Sequence, residues 1–231
     1  MYISEIILRC SDPEQMMYFY CGKLGFERVL FEEEKLSIRA GNSILTFLKD
    51  EKVKDPVYHF AFNIPGKQFF EAMKWASERV SLLKNDIGDT VFDFSNWNAE
   101  AFYFYDPQKN IVEFIARHDL NIPSGKPFSV QSISEISEIG IPIDNVGEFY
   151  DEVNKFIDAP VFDGDKKGFT AMGSQNGLFI VVPLKRNWYP TEIKSAKYPL
   201  DIIITQYSEH IFTKEFGPYP YTIRVCSILP E

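Results

Sequence analysis

Glu113 stands in the middle of an alternating run, Ile111-Val-Glu-Phe-Ile-Ala-Arg117, with Ile111 and Ile115 flanking it on its own face. A carboxylate in that setting is seldom buried unless it is paired or bound to a metal ion, so Glu113 calls for a partner elsewhere in the chain. Glu5 breaks a similar run, Ile3-Ser-Glu-Ile-Ile-Leu-Arg-Cys10, and His59 lies in a third, Val57-Tyr-His-Phe-Ala-Phe-Asn-Ile64. Carboxylates with an imidazole suit metal binding, whereas a strand histidine taken alone is more often simply hydrogen-bonded to a neighbour. Arg9 and Arg117 follow Glu5 and Glu113 on the same faces, so structural ion pairs are the competing reading.

The elements that must position these residues repeat. Residues 3–10 alternate as a strand, after which Ser11-Asp12-Pro13 supplies a cap with proline at the first helical position. Met16, Phe19, Tyr20 and Leu24 then form an apolar helical stripe that stops at Gly25, and short strands are expected over 27–31, 35–39 and 43–48. The order β-α-β-β-β restarts at Pro56, with a helix carrying Phe69, Ala72, Met73, Ala76 and Val80 and later strands over 81–83 and 91–94. It closes on the hairpin Phe102-Tyr-Phe-Tyr-Asp-Pro-Gln-Lys-Asn to His118, whose Asp106-Pro107 is turn chemistry. Asn121-Ile-Pro-Ser-Gly-Lys-Pro reads as a linker.

Beyond it, Ile133-Ser-Glu-Ile-Ser-Glu-Ile-Gly-Ile-Pro-Ile echoes the first strand, and Phe149-Tyr150 echoes Phe19-Tyr20. Aligning Glu135 with Glu5 keeps the spacing to Phe-Tyr; aligning Glu138 keeps the strand pattern, and is preferred. This third unit closes with strands over 169–172 and 178–182, and Leu200 to Gln206 opens a compressed fourth whose last strand is Tyr221 to Val225. The organisation expected is residues 1–120 as two paired units forming the main cup, a linker over 121–130, and residues 131–231 as a third unit with a truncated fourth.

Composition bounds the partners. The chain has 231 residues, a formal net charge of −9 and no cluster of Lys or Arg, which argues against nucleic acid and anionic membrane surfaces. Cys10, Cys21 and Cys226 lack CxxC spacing and read as reduced thiols. The first residues, Met1-Tyr-Ile-Ser-Glu, show neither a basic nor an apolar leader pattern, and no apolar run approaches a bilayer span, so a cytoplasmic protein is expected.

Strands of the form x-[His or Glu]-Ile-x-Leu followed by a helix with Phe-Tyr-x-x-x-Leu-Gly-Phe resemble the vicinal oxygen chelate superfamily of glyoxalases, extradiol dioxygenases and fosfomycin- or bleomycin-resistance proteins. The matching residues are Glu5-Ile-Ile-Leu-Arg-Cys, Phe19-Tyr20 to Leu24-Gly25-Phe26, His59-Phe-Ala-Phe-Asn-Ile, and Phe102-Tyr103 with Asp106-Pro107 to Glu113, where Lys109 replaces the usual Gly. The resemblance implies an α+β fold in which βαβββ modules pair into curved, cup-like mixed sheets with helices outside. It further implies a divalent ion, Fe, Mn, Zn or Ni, held by Glu5, His59 and Glu113, the fourth position near Ile44 or Leu45 being apolar. Glu138 is the third-unit counterpart of Glu5 but lacks an evident partner, and no ion is expected there. Arg9, Arg117, Phe47, Phe94, Trp97 and Tyr103 are the candidates for contacting substrate, and Lys185-Arg-Asn-Trp-Tyr-Pro-Thr mixes cationic and aromatic groups where the second pair of units would open. His118 and His210 are the weaker histidine candidates. Two functions follow from the resemblance: a metal-dependent lyase, isomerase or dioxygenase acting on a small oxygen-chelating aromatic substrate, or a metal-free binding protein of the bleomycin-resistance type. Either takes a small molecule as partner, and the fold is compatible with a homodimer.

Overall fold

The structure is a computed structural model of the chain and describes residues 1–207 and 211–228; His210 lies outside them. Unit one consists of β1 (Tyr2–Cys10), α1 (Pro13–Met17), which continues as a π-helical stretch over Tyr18–Lys23, β2 (Glu27–Glu32), β3 (Lys35–Ala40) and β4 (Ser43–Lys49). Asp12 caps α1 by accepting from the backbone N–H groups of Glu14 and Gln15, and Gly25 ends the helical stretch at a φ of +82° that other residues resist. Unit two has β5 (His59–Asn63), α2 (Phe69–Ser77), β6 (Phe92–Phe94), β7 (Ala99–Tyr105) and β8 (Ile111–Arg117). Unit three has β9 (Glu135–Ile143), α3 (Val146–Val153), β10 (Val161–Gly164), β11 (Thr170–Ser174) and β12 (Gly177–Pro183). The fourth keeps β13 (Leu200–Tyr207), β14 (Phe212–Glu215) and β15 (Tyr221–Ile228), with no helix among its described residues. This is the expected α+β repeat. Residues 81–83 do not form the strand expected there: Leu82 makes only an isolated bridge to Phe104 before the chain turns over Asn85–Asp89.

Within each unit the last strand lies parallel to the first. Ile7 sits opposite Thr46, Ala61 opposite Glu113, Gly140 opposite Ile180, and Ile203 opposite Arg224. That leaves each first strand with one open edge, which another unit's first strand covers in antiparallel register. The partners differ from those expected. β5 pairs with β9, Ala61 facing Glu138, and β1 pairs with β13, Ile7 facing Asp201. The two cups are therefore built from units two and three and from units one and four, not from residues 1–120 alone. A single bridge, Ile3 to Ile136, joins the two sheets, and the Ser43 hydroxyl ties them further by donating to the Ile3 carbonyl and accepting from the Ile136 N–H.

The physical reason lies on the faces opposite the cups. Units one and two meet there through side chains: Phe26 packs on Phe62 at 5.5 Å between ring centroids, and the buried Tyr20 hydroxyl donates to Asp106 at 3.0 Å. Asp106 also accepts from the backbone N–H groups of Gln108 and Asn110 and from the Asn110 amide, while Gln108 reaches back to the Arg9 and Pro56 carbonyls. The Asp-Pro turn thus fastens unit two to the back of unit one, and the edges of β1 and β5 are left for β13 and β9. Every residue of β9 is buried, as a strand held between β5 and β12 must be. No helix among the described residues is long and apolar enough to cross a membrane.

Because the partners of β1 and β5 both lie beyond residue 130, a fragment of residues 1–120 should expose two unpaired strand edges and aggregate. Size-exclusion chromatography with NMR of the fragment checks this: a monomer with dispersed amide signals would mean that β1 and β5 can cover one another.

Candidate metal centre

Three strands converge on one point. His59 opens β5, Glu113 lies mid-strand on β8 and Glu138 lies on β9; each has the parity that faces the cup, and one ligand atom from each falls within 4.8 Å of the others. All three are buried. His59 Nδ1 lies 3.2 Å from the Ile111 carbonyl, a geometry that assigns the proton to Nδ1 and leaves the lone pair on Nε2, which stands 3.6 Å from Glu113 Oε2. Burial lowers the His59 pKa to about 4, so the imidazole is neutral at physiological pH.

The carboxylates are held from the side. Arg117, fully buried and among the largest such side chains of the described residues, donates through Nη2 to Glu138 and lies over the rings of Trp97 and Phe162 at 5.2 and 5.8 Å. Tyr103 lies directly across from Glu113 on β7, and its hydroxyl favours the ionised carboxylate. Burial, and then the neighbouring charge of Glu138, raises the Glu113 pKa well above the ordinary carboxylate range; burial raises that of Glu138 against the pull of Arg117. Two carboxylates share one guanidinium here, and the upward shifts express chiefly the cost of holding them ionised away from water. A divalent cation among these donors would remove it.

A cavity of about 500 Å³ opens above the cluster. Its walls are mainly aromatic: Phe94, Trp97, Tyr103, Phe169, Trp188 and Tyr189, with Ile180 and Val182 from β12 and the polar groups Asp93, Asn96, Asp163, Arg186 and Asn187. Phe94 and Phe169 both stack on Trp97, and the Trp97 indole donates to Asp163 at 2.8 Å. This size and lining suit a small, flat, largely apolar ligand.

The residues singled out from sequence divide clearly. His59 and Glu113 come together, and Phe94, Trp97 and Tyr103 line the cavity beside them. Glu5 does not join them. It belongs to the other sheet, where its carboxylate accepts from Thr46 at 2.6 Å; Thr46, not an apolar residue, holds the position expected near Ile44 or Leu45. Arg9 is taken up by Asp201 at 2.9 Å, and Phe47 is core, its ring 5.2 Å from Tyr20. Arg117 is a partner of Glu138 beneath the site and is absent from the cavity lining. His118 is partly exposed and 3.2 Å from Glu100. Glu138, set aside in the sequence reading because no partner was evident, completes the cluster because β9 and not β1 lies beside β5. The position related to Glu113 across the β5–β9 pair, opposite Gly140, holds Ile180.

No protein-family model matches the chain, and no curated protein matches it. Among solved structures, a "putative dioxygenase" from Bacillus subtilis superposes over 97% of this chain and 85% of its own, with a TM-score of 0.64 at 12% identity. The chain has the vicinal oxygen chelate fold. Shorter structures of that fold match about half of it: a glyoxalase/bleomycin resistance protein/dioxygenase from Alicyclobacillus acidocaldarius covers 50% of this chain and 90% of its own at 19% identity and TM-score 0.40. A lactoylglutathione lyase from Agrobacterium tumefaciens covers 49% and 92% at 19% identity and TM-score 0.39. At these identities the likeness is one of vicinal oxygen chelate architecture, and function rests on the site.

Removing Arg117 while Glu138 stays would strand a buried carboxylate, so Arg117→Met should cost about 3–5 kcal/mol in urea unfolding, and adding Glu138→Leu should recover much of it. Equal losses in the single and double variants would mean that the pair is not coupled. His59 gives a pH signature. Its folded pKa lies below the unfolded value near 6.5, so between pH 4 and 6.5 the unfolded chain binds more protons and stability rises with pH. In chelator-treated protein this contribution should amount to about 3 kcal/mol, lost as pH falls through that window. His59→Phe should remove it; an unchanged pH profile in the variant would place the imidazole in water.

Proposed function

We propose that His59, Glu113 and Glu138 bind one divalent cation and that the protein is a metal-dependent enzyme of the glyoxalase or dioxygenase type, acting on a small oxygen-chelating aromatic substrate. The observation that carries this reading is the donor set itself: a neutral imidazole with Nε2 free and two buried carboxylates that one guanidinium leaves under-compensated. One nitrogen and two carboxylate donors suit Fe, Mn, Zn or Ni. When bound, such an ion supplies Lewis acidity toward substrate oxygens, and redox chemistry with dioxygen if it is iron(II).

The chain's own residues do the rest. Arg117 fixes the orientation of Glu138, and the Nδ1 contact to Ile111 fixes that of His59. Tyr103, whose pKa burial raises well above its usual value, stays protonated opposite Glu113 and presents a neutral hydroxyl to the site. Ile180 presents hydrocarbon where a fourth donor would stand, which keeps that side of the site open to substrate. The Phe94, Trp97 and Phe169 wall accommodates a ring and excludes water from its faces. A metal-free binding protein of the bleomycin-resistance type is the other reading, and the absence of a fourth donor is what speaks for it.

Elemental analysis of protein purified without chelators separates the two. About one divalent ion per chain is expected, lost in His59→Ala and strongly reduced in Glu138→Gln, while Glu5→Gln retains it. Metal-free wild-type protein that also fails to take up added Mn²⁺, Zn²⁺ or Ni²⁺ would leave the binding-protein reading; loss of metal in the Glu5 variant would place the site in the other sheet.

A further inference from the structure

The strap between β12 and β13 brings a cation to the rim of the cavity. Arg186 is the only Lys or Arg among the described residues that line it. Its backbone is pinned from both sides: the N–H donates to the Pro183 carbonyl at 3.4 Å, and the carbonyl accepts from the Ser195 N–H at 2.7 Å. The guanidinium lies over the ring of Phe169 at 5.2 Å, and Nη1 donates to the Gly168 carbonyl at 3.3 Å. Phe169 is itself a cavity wall, stacked on Trp97, so the cation rests on the outer edge of that wall. An open groove adjoins the cavity there, and Asp163, Phe169 and Arg186 line both. Arg186 is exposed, so a ligand lying in the cavity and extending toward the groove passes its head group.

Held in this way the guanidinium is oriented but not spent. Among the described residues it forms no ion pair, and Nε and Nη2 make no hydrogen bond. The carboxylates nearby are engaged elsewhere: Asp163 accepts from the Trp97 indole and the Gly164 N–H, Asp93 from the Ser95 hydroxyl, and Asp165 from the N–H groups of Lys167 and Gly168. A planar guanidinium with one face on a ring and an unclaimed edge matches a carboxylate through two parallel hydrogen bonds, and little of its freedom is left to lose. We propose that Arg186 is a specificity-determining residue that pairs with a carboxylate of the ligand. The substrate class is then a flat, oxygen-chelating molecule that is anionic at the end away from His59, Glu113 and Glu138. This rests on the reading of the cavity as the site of such a molecule. A neutral analogue leaves the guanidinium in water and gains nothing from it, so the discrimination is between an acid and its ester.

The test is calorimetry on Zn²⁺-loaded protein with 3,4-dihydroxybenzoate, 3,4-dihydroxyphenylacetate and 3-(3,4-dihydroxyphenyl)propionate, each beside its methyl ester. The three spacers vary the reach from the floor of the cavity to its rim. At least one acid should bind the wild-type protein about 10-fold more tightly than its ester, the worth of a charge-assisted hydrogen bond at an exposed site. In Arg186→Met that preference should fall to within about 2-fold while ester affinity and zinc stoichiometry hold, and Arg186→Lys should keep part of it. Acids and esters that bind the wild-type protein alike, a preference that persists in Arg186→Met, or equal losses of both forms in that variant overturn the proposal. The wild-type comparison needs no variant to fold, and ester binding reports whether the variant has folded. Wild-type protein that takes up zinc but binds none of the six ligands also overturns it. Failure to take up zinc is instead a failure of the metal reading, and the same comparison on the metal-free protein then decides Arg186 alone.

Discussion

Every β-α-β-β-β unit in this chain has the same unfinished business at one strand. The unit's own last strand covers one edge of its first strand, and the other edge presents a row of unpaired N–H and C=O groups that must find a partner. Which first strand supplies it decides everything functional here. Because β5 is covered by β9, His59 and Glu113 of unit two acquire Glu138, with Ala61 facing Glu138 as the register mark. Had β1 covered β5, Glu5 would stand there and Arg117 would face a different neighbour. The choice is made far from the site, by Tyr20 on Asp106 and Phe26 on Phe62, contacts that pack the backs of units one and two together and turn their open edges away from each other.

Electrostatics then follow from topology. A strand buried along its whole length can carry a glutamate only where hydrogen bonds or a compensating charge meet it: on β9 the Asn63 amide serves Glu135, and Arg117 of β8 serves Glu138. The guanidinium in turn needs its faces covered, which Trp97 and Phe162 do from two different units. Trp97 also forms the cavity wall, so the side chain that shields the buried cation is the one against which a ligand would lie. Charge compensation, wall and site are thus one packed cluster, and a change at any of the three propagates to the others.

The repeat, its element order and the candidate status of His59 and Glu113 were legible in the sequence, because period-two alternation makes an ionisable residue on an apolar face conspicuous. Aligning Glu138 with Glu5 from the strand pattern also puts Glu138 on the face that turns toward His59 and Glu113. What alternation does not encode is which edge meets which: β1, β5, β9 and β13 all read as acceptable neighbours, and the discriminating contacts are between side chains more than 30 positions apart in sequence, such as Tyr20 and Asp106. The same limit hid the roles of the arginines. The strand pattern pairs Arg9 and Arg117 with Glu5 and Glu113 on their own strands, whereas each pairs across to the strand brought beside it, with Asp201 and Glu138 respectively. Trp188 gave a weaker signal still, since a strap residue acquires meaning only from what it covers.

The second sheet offers an internal control on how the fold makes a site. Carrying the register of β5, β8, β9 and β12 onto β1, β4, β13 and β15 gives the positions equivalent to His59, Glu113, Glu138 and Ile180, and these hold Glu5, Thr46, Asp201 and Arg224. The backbone frame is the same, but each polar group there already has an internal partner or a solvent-facing position: Thr46 donates to Glu5, Arg9 engages Asp201, and Arg224 is exposed. Carboxylates satisfied in this way have little excess charge to be relieved by an ion. In the other cup one guanidinium faces two buried carboxylates, and the imidazole spends its only proton on a carbonyl. The contrast traces the proposed metal site to a shortfall of internal partners, and that shortfall, more than the presence of acidic residues at the expected positions, distinguishes the two cups of this protein.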